Sequence, residues 1–223
     1  MSQTEQTQAY TNHAHHDERI LVVKRSDLFE SQPSWQGLNI EAFAKVMETI
    51  SKAGEFQPRA SMETDPGYKQ IIPYLIFEHE GSFFLMQRKK DASEQRLQNK
   101  YSLGIGGHMR FEDLQQGSDL LSWAKREFEE EVSYEGVFQM APLGILNDDS
   151  TEVGRMHIGI VMLLVGDSDK ISVKSELESG NLISLPDCLD YVPYMEAWSQ
   201  IALMSILKEG FKAAEHNIAP DQK

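Results

Sequence analysis

The sequence predicts an α/β (α+β) fold: a mixed β-sheet with helices packed against it. Three observations point there. Apolar runs of strand length, rich in Ile, Phe, Leu and Val, recur at 71–77, 83–88, 137–146 and 156–165. Two segments, 119–132 and 193–208, instead carry apolar residues at helical spacing. Hydrophobic residues make up 40% of the 223 positions, enough for a real core and too many for global disorder.

Residues 1–18 are polar, rich in Gln, Thr and His, and read as a disordered, mobile tail. His13, His15 and His16 are possible transition-metal ligands, but a flexible tail loses entropy on ordering around an ion. Residues 19–65 form an N-terminal extension of one strand and one helix. Ile20 to Val23 is the strand; Asn39 caps the helix, Phe43, Val46, Met47 and Ile50 share its face, and Gly54 ends it. Such a piece is too small for its own core, so it packs on the main body or on a second subunit. The latter option motivates the expectation of a homodimer, in which one patch is buried twice.

The main domain spans 66–210. Ile71 to Phe77 and Phe83 to Arg88 are strands separated by the loop Glu78 to Ser82. Tyr101 to Ile105 is a further strand running into Gly106-Gly107. The clearest helix is 119–132, where Leu120, Leu121, Ala124, Phe128 and Val132 make one stripe, Ser118 is the N-cap and Gly117 suits the turn before it. Val137 to Leu146 and Met156 to Val165 are long strands joined by the loop Asn147 to Arg155. Asn181 to Leu185 is a last strand, Pro193 to Lys208 a last helix, and 211–223 a C-terminal tail.

Charge narrows the partners. Lys plus Arg is 21 against 35 for Asp plus Glu, a net charge of −14. That excludes the electrostatic footprint of a nucleic-acid-polymer binder and disfavours anionic membranes. No apolar run approaches the ~20 residues of a membrane span, and the opening residues lack the basic and apolar regions of a secretory signal. Cys188 is the only cysteine, so no intrachain disulfide exists, in keeping with a cytoplasmic protein. It follows Leu-Pro-Asp in a turn and is a poor nucleophile candidate. An acidic chain still binds a phosphorylated small molecule when divalent cations bridge the two.

The chemistry concentrates in Arg126-Glu127-Phe128-Glu129-Glu130-Glu131-Val132. Glu127, Glu130 and Glu131 fall at i, i+3 and i+4 and so share a helix face. Like charges there oppose the helix unless a cation sits among them, and hard oxygen donors suit Mg²⁺ or Mn²⁺. The plainer reading is a solvated acidic face, since Glu is a good helix former. Two features favour the metal reading: the apolar stripe sets this helix against a core, and a glycine pair precedes it.

Residues 106–134 resemble the signature of the Nudix hydrolases: Gly, five residues, Glu, seven residues, then Arg-Glu-hydrophobic-x-Glu-Glu-x-Gly-hydrophobic. Arg126 to Glu131 matches its second half residue for residue, and Gly106-Gly107-His108 is similar to its opening. The order of strands over residues 71–185 agrees. Three positions depart. From Gly107 to Arg126 is 19 positions where the signature has 14, an insertion of five; Ser118 stands where the first Glu falls; Ser133 replaces the Gly. Glu112 and Asp113, within the inserted stretch 109–116, are the candidate substitutes for the missing carboxylate.

The resemblance implies a Nudix-type α/β/α sandwich in which a loop–helix–loop binds Mg²⁺, with Mn²⁺ as substitute, on a diphosphate. Glu127, Glu130, Glu131 and the Gly107 carbonyl would be the metal ligands, and Arg126 would orient a neighbouring carboxylate. A base then takes a proton from the attacking water: Glu130 on the helix, or Glu176 before the last strand, with Glu178 a further option. The reaction would be cleavage of a pyrophosphate linkage in a nucleoside diphosphate joined to another group. An isoprenoid diphosphate isomerase would need a cysteine placed for proton transfer, and Cys188 lies far from the acidic helix in sequence; a non-catalytic nucleotide sensor would be expected to have lost part of the glutamate ladder. Asp148, Asp149 and Glu152 read as turn residues or as a pocket rim. Tyr101, Phe111 and Trp123 read as core aromatics or as a platform for a base.

Overall fold

The computed structural model describes residues 18–89, 99–114, 120–174 and 177–209. The chain runs through β1 (Arg19–Lys24), α1 (Arg25–Leu28), β2 (Gly37–Asn39), α2 (Ala42–Ala53), β3 (Glu55–Pro58) and α3 (Arg59–Met62). β4 (Tyr68–His79), β5 (Ser82–Arg88), β6 (Tyr101–Ser102) and β7 (Gly104–Gly106) follow, then α4 (Phe111–Leu114), α5 (Leu120–Glu131) and β8 (Val132–Tyr134). β9 (Phe138–Asn147), α6 (Glu152–Met156), β10 (His157–Gly166), β11 (Ile171–Val173) and β12 (Leu177–Ser184) lead to a 3₁₀ helix at Asp187–Tyr194 and to α7 (Ala197–Glu209).

The large sheet has the order β12-β5-β4-β10-β9-β2, and its central strands β4 and β10 run parallel, with Gln70–Glu78 beside His157–Val165. The other edge of β4 is shared in turn by β1 at 68–70, β7 at 74–76 and β5 at 78–79, all antiparallel. Both faces of β4 and β10 are covered, which is why their sequences are nearly continuous apolar runs instead of alternating ones. One face carries Ile71, Leu75, Phe77, Ile158, Ile160, Met162 and Leu164 against Trp123, Ala124 and Phe128 of α5 and Ala42 and Val46 of α2. The opposite face carries Tyr74, Ile76, Val161 and Leu163 against Cys188 and Ala202, Leu203 and Ile206 of α7. The result is the three-layer α/β/α sandwich with a mixed sheet.

Residues 19–65 belong to this sheet. β1 pairs with both β3 and β4, and β2 extends the far edge along β9. Asn39 caps α2, its side-chain oxygen accepting the Ala42 amide at 3.1 Å. Ile20, Val22 and Met62 form a small core of their own, while Leu28, Ala42 and Val46 join the main one. The apolar faces that motivated a homodimer pack on the chain's own core, Val46 buried and Phe43, Met47 and Ile50 partly buried.

Several local expectations change. The β4–β5 connection is a two-residue turn, Glu80-Gly81, with φ of 48° and 81°. The strands pair up to His79 and Ser82, so the anticipated five-residue loop contracts to a turn of type I′ character. The strand expected over 101–105 splits at Leu103, because β6 pairs with β5 and β7 crosses to β4. The 147–155 loop contains α6, N-capped by Thr151, whose hydroxyl accepts the Gly154 amide at 2.9 Å. The last strand starts earlier, at Leu177. The final helix starts at Ala197; residues 187–194, with Pro193 among them, are 3₁₀, and Cys188 there is buried instead of lying in an open turn. No described helix is long and apolar enough to cross a membrane. His13, His15, His16, Gly117, Ser118, Glu176 and the 211–223 tail lie outside the described residues.

Candidate active site

α5 is held by its apolar stripe: Trp123, Ala124 and Phe128 are at most 1% exposed. With that face fixed on the sheet, helical geometry carries Glu127, Glu130 and Glu131 along the side that meets the β7–α4 loop. Glu127 packs directly on Gly107, where an added Cβ would lie 2.6 Å from its Oε2, so any other residue would displace the carboxylate. Glu127 is mostly buried; burial first, and then the negative charge of Glu130, raise its pKa to about 7, against the opposing pull of Arg126 and Arg110. Glu130 is half exposed and accepts a hydrogen bond from Arg126 Nη1 at 2.8 Å. Glu131 reaches a small cleft with Arg88, Ser102, Gly104, Gly106 and Leu177. Arg126 Nη2 lies 2.9 Å from Asp113 Oδ1 and 3.5 Å from Glu127 Oε1.

Among the described residues no three His, Cys, Asp or Glu side chains already stand gathered as a ligand set. Like-charged carboxylates separate from one another, and Arg126 draws Glu130 aside. The donor chemistry nevertheless fits a hard divalent cation, with several carboxylate oxygens on one helix face beside a glycine backbone. Desolvation that disfavours the charged form of Glu127 is also what a cation would relieve.

The structure separates the two candidate substitutes for the missing carboxylate. Glu112 is exposed, whereas Asp113 is buried and reaches Arg126. Ser133, where the family pattern has Gly, needs no left-handed backbone: the helix runs straight into β8, and the only positive-φ non-glycine residues among those described are Glu80 and Asn99. The carbonyls that a glycine cap would serve are satisfied from β11's flank: the Lys174 amide donates to Glu131 O at 2.8 Å, and the Lys174 ammonium donates to Glu129 O. Glu178 is exposed on β12. The sequence reading passed over Arg88, which closes β5 as a cation facing Glu131's cleft, its Nε buried without a hydrogen-bond partner. Its only sequence signal is a basic residue ending an apolar strand.

The remaining candidates have structural partners. Asp149 is ion-paired with Arg25 and with Lys69 at 2.8 Å, and Asp148 accepts from Gln36 and Ser150 at 2.5 Å. Glu152 is exposed in the first turn of α6. Trp123 is core, Phe111 meets Phe56 edge-on at 5.5 Å, and Tyr101 meets Tyr191 at 4.9 Å. Cys188 lies in the core on the opposite face from α5, its thiol pushed up to about 11 by burial and then by Asp187. That is the wrong place and state for proton transfer at the acidic helix.

No protein-family model matches the chain. It is 34% identical over 198 residues to protein YmaB of Bacillus subtilis (strain 168), covering 84% of this chain and 96% of that protein. It is 31% identical to Tm1382, a candidate Nudix hydrolase whose crystal structure matches with a TM-score of 0.72 over 86% of this chain and all (100%) of that one. DR0079 from Deinococcus radiodurans shares the fold at 15% identity, with a TM-score of 0.50 over 79% of this chain and 98% of that one. The first two matches each cover more than four fifths of this chain and nearly all of the other, and with the loop–helix geometry around Gly107 and Glu127 they mean that this chain belongs to the Nudix hydrolase family.

Proposed function

We propose that the protein is a divalent-metal-dependent pyrophosphohydrolase acting on a nucleoside diphosphate linked to another group. The observation that carries this reading is the contact of Glu127 with Gly107, which joins a three-glutamate helix face to a glycine loop at the edge of a cleft. Glu127, Glu130, Glu131 and the Gly107 carbonyl would hold Mg²⁺, or Mn²⁺ in its place. Such an ion, when bound, neutralises diphosphate charge and makes a bound water acidic.

The rest is the work of this chain's side chains. Arg126 holds the Glu130 carboxylate at 2.8 Å in a fixed orientation. Glu130 is exposed enough to take a proton from water as it attacks phosphorus; the alternative base is Glu176. The phosphorus–oxygen bond of the anhydride then breaks and the second phosphate leaves. Arg88, the cation of the cleft, suits a phosphate oxygen: a guanidinium pairs with phosphate in planar, bidentate geometry, and its buried Nε is otherwise unsatisfied.

The test is a panel of nucleoside diphosphate derivatives assayed for released monophosphate with and without Mg²⁺ or Mn²⁺, in ¹⁸O-labelled water. Label in a phosphate product, only with metal, is the expected result. Absence of product across the panel, with nucleotide binding retained, would favour a sensor.

A further inference from the structure

The family pattern lacks a carboxylate at Ser118 in this chain, and the insertion before it supplies another. Asp113, on α4, is 5% exposed and faces three hydrogen-bond donors, the Arg110 Nε at 3.5 Å among them, with the Arg126 guanidinium as an ion-pair partner on its other oxygen. Its Oδ2 accepts the Trp123 indole N–H at 3.0 Å and the Arg110 amide at 2.9 Å, and its Oδ1 lies 2.9 Å from Arg126 Nη2. Trp123 and Arg126 are one turn apart on α5, so Asp113 grips the helix from its buried side and its acidic side together.

The base of the insertion is itself held by the N-terminal extension. The Leu21 amide donates to Met109 O at 2.8 Å, Ile20 bridges to Arg110, and the Arg19 guanidinium lies 5.3 Å from the centre of the Phe111 ring, which also packs on Phe56. The extension and the described part of the insertion thus form one structure whose polar end is Asp113.

We propose that Asp113 is a positioning residue that takes over from the carboxylate missing at Ser118: it fixes the Arg126 guanidinium, and through it the orientation of Glu127 and Glu130. Without Asp113, Arg126 has only Glu127 and Glu130 to pair with, and its charge competes with the cation those glutamates would hold. With Asp113 in place, part of the guanidinium charge is balanced from outside the ligand set. Glu112, one residue earlier, cannot do this because it points to solvent.

The catalytic consequence rests on the function proposed above; the positioning itself does not, and the test separates them. Asp113→Asn keeps size and an acceptor for Trp123 and the Arg110 amide but removes the charge opposite the Arg126 and Arg110 guanidinium groups; Asp113→Glu restores the charge. In metal-free protein, ¹⁵N NMR of the Arg126 side chain should show slow guanidinium rotation in the wild type, fast rotation in Asp113→Asn and slow rotation again in Asp113→Glu. The Trp123 indole N–H resonance should persist in all three. Mn²⁺ binding read by EPR should weaken about 10–100-fold in Asp113→Asn, the size typical of lost outer-sphere support, kcat should fall in parallel with KM within about threefold, and neither should fall further when Asp113→Asn is added to Arg126→Gln. Unchanged Arg126 mobility in Asp113→Asn, or full additivity with Arg126→Gln, overturns the proposal. A wild type that neither binds Mn²⁺ nor hydrolyses the panel overturns the functional reading instead, and the Arg126 mobility still decides the role of Asp113.

Discussion

Two carboxylate clusters in this molecule are displaced in opposite directions. Around Asp149, burial raises the carboxyl pKa, but hydrogen bonds from Arg25 and Lys69 outweigh it and hold the group well below the usual carboxylate range. Lys69, fully buried, donates there and to the Gly154 and His157 carbonyls at 2.8 and 3.1 Å, so all of its N–H donors are satisfied. Around Glu127, burial and Glu130 win over Arg126 and Arg110, and the carboxyl rises to about 7. A cluster that compensates itself ties α1, β4 and the α6 loop together. A cluster left acid-rich on one helix face is stable in a folded chain chiefly when something from outside completes it. The direction of the displacement, more than the number of acidic residues, tells the two roles apart.

Removing one charged residue from each cluster is the widest way to break this contrast. Glu131→Gln should lower metal-dependent kcat on the order of a hundredfold or more while leaving the thermal transition within a few degrees of wild type. Near-full activity would remove Glu131 from the site. Lys69→Met should do the reverse. Loss of a buried pair's partner costs about 3–5 kcal/mol, and because Asp149 keeps Arg25 and some solvent contact, about 2–4 kcal/mol is expected here. Urea unfolding would read it, with kcat per folded molecule unaltered.

pH sharpens the comparison. Glu127's folded pKa lies above its ordinary value of 4.5, so its contribution to stability is fully present below 4.5 and is lost as pH rises through about 7. The span is up to about 3 kcal/mol in metal-free protein, at about 1.4 kcal/mol per pKa unit. Asp149 has the opposite sign: its contribution is present above the ordinary carboxylate range and is lost as pH falls toward its depressed value. Urea midpoints between pH 4 and 8 should therefore fall with rising pH in the wild type and flatten in Glu127→Gln. The same loss in both proteins would assign it elsewhere. The smallest expected effect is at Arg88: Arg88→Lys keeps the charge but not the planar fork, and should raise KM about three- to tenfold with little change in kcat. An unchanged KM would place the phosphates away from this cleft.

What was legible in the sequence was whatever is local. The glutamate ladder, the Asn39 cap and the apolar runs of β4, β5 and β10 are set by residues within a few positions of one another. Asp149 could not be told from a pocket rim because its partners, Lys69 and Arg25, lie 80 and 124 residues away. The same holds for Asp113 and Glu112, adjacent in sequence and opposite in burial, and for Arg88, whose cleft forms only when β5, β7 and α5 meet. Ser133 stands where the family pattern has glycine, and the Lys174 contacts that make the glycine unnecessary come from the residue after β11. The break at Leu103 reflects competition between β5 and β4 for one short segment, which no window of sequence contains.

The pairing of β1 also sets an order of assembly. This strand is synthesised before all of its partners: it can dock on β3 within one short stretch of chain, gains β4 next, and waits for Met109 and Arg110, nearly ninety residues downstream, before its last amide is paired. Until then it presents an apolar edge, the kind of surface that recruits chaperones or other unfinished chains. Destabilising substitutions in β1 should surface in the cell as lost yield well before they are seen as lost turnover.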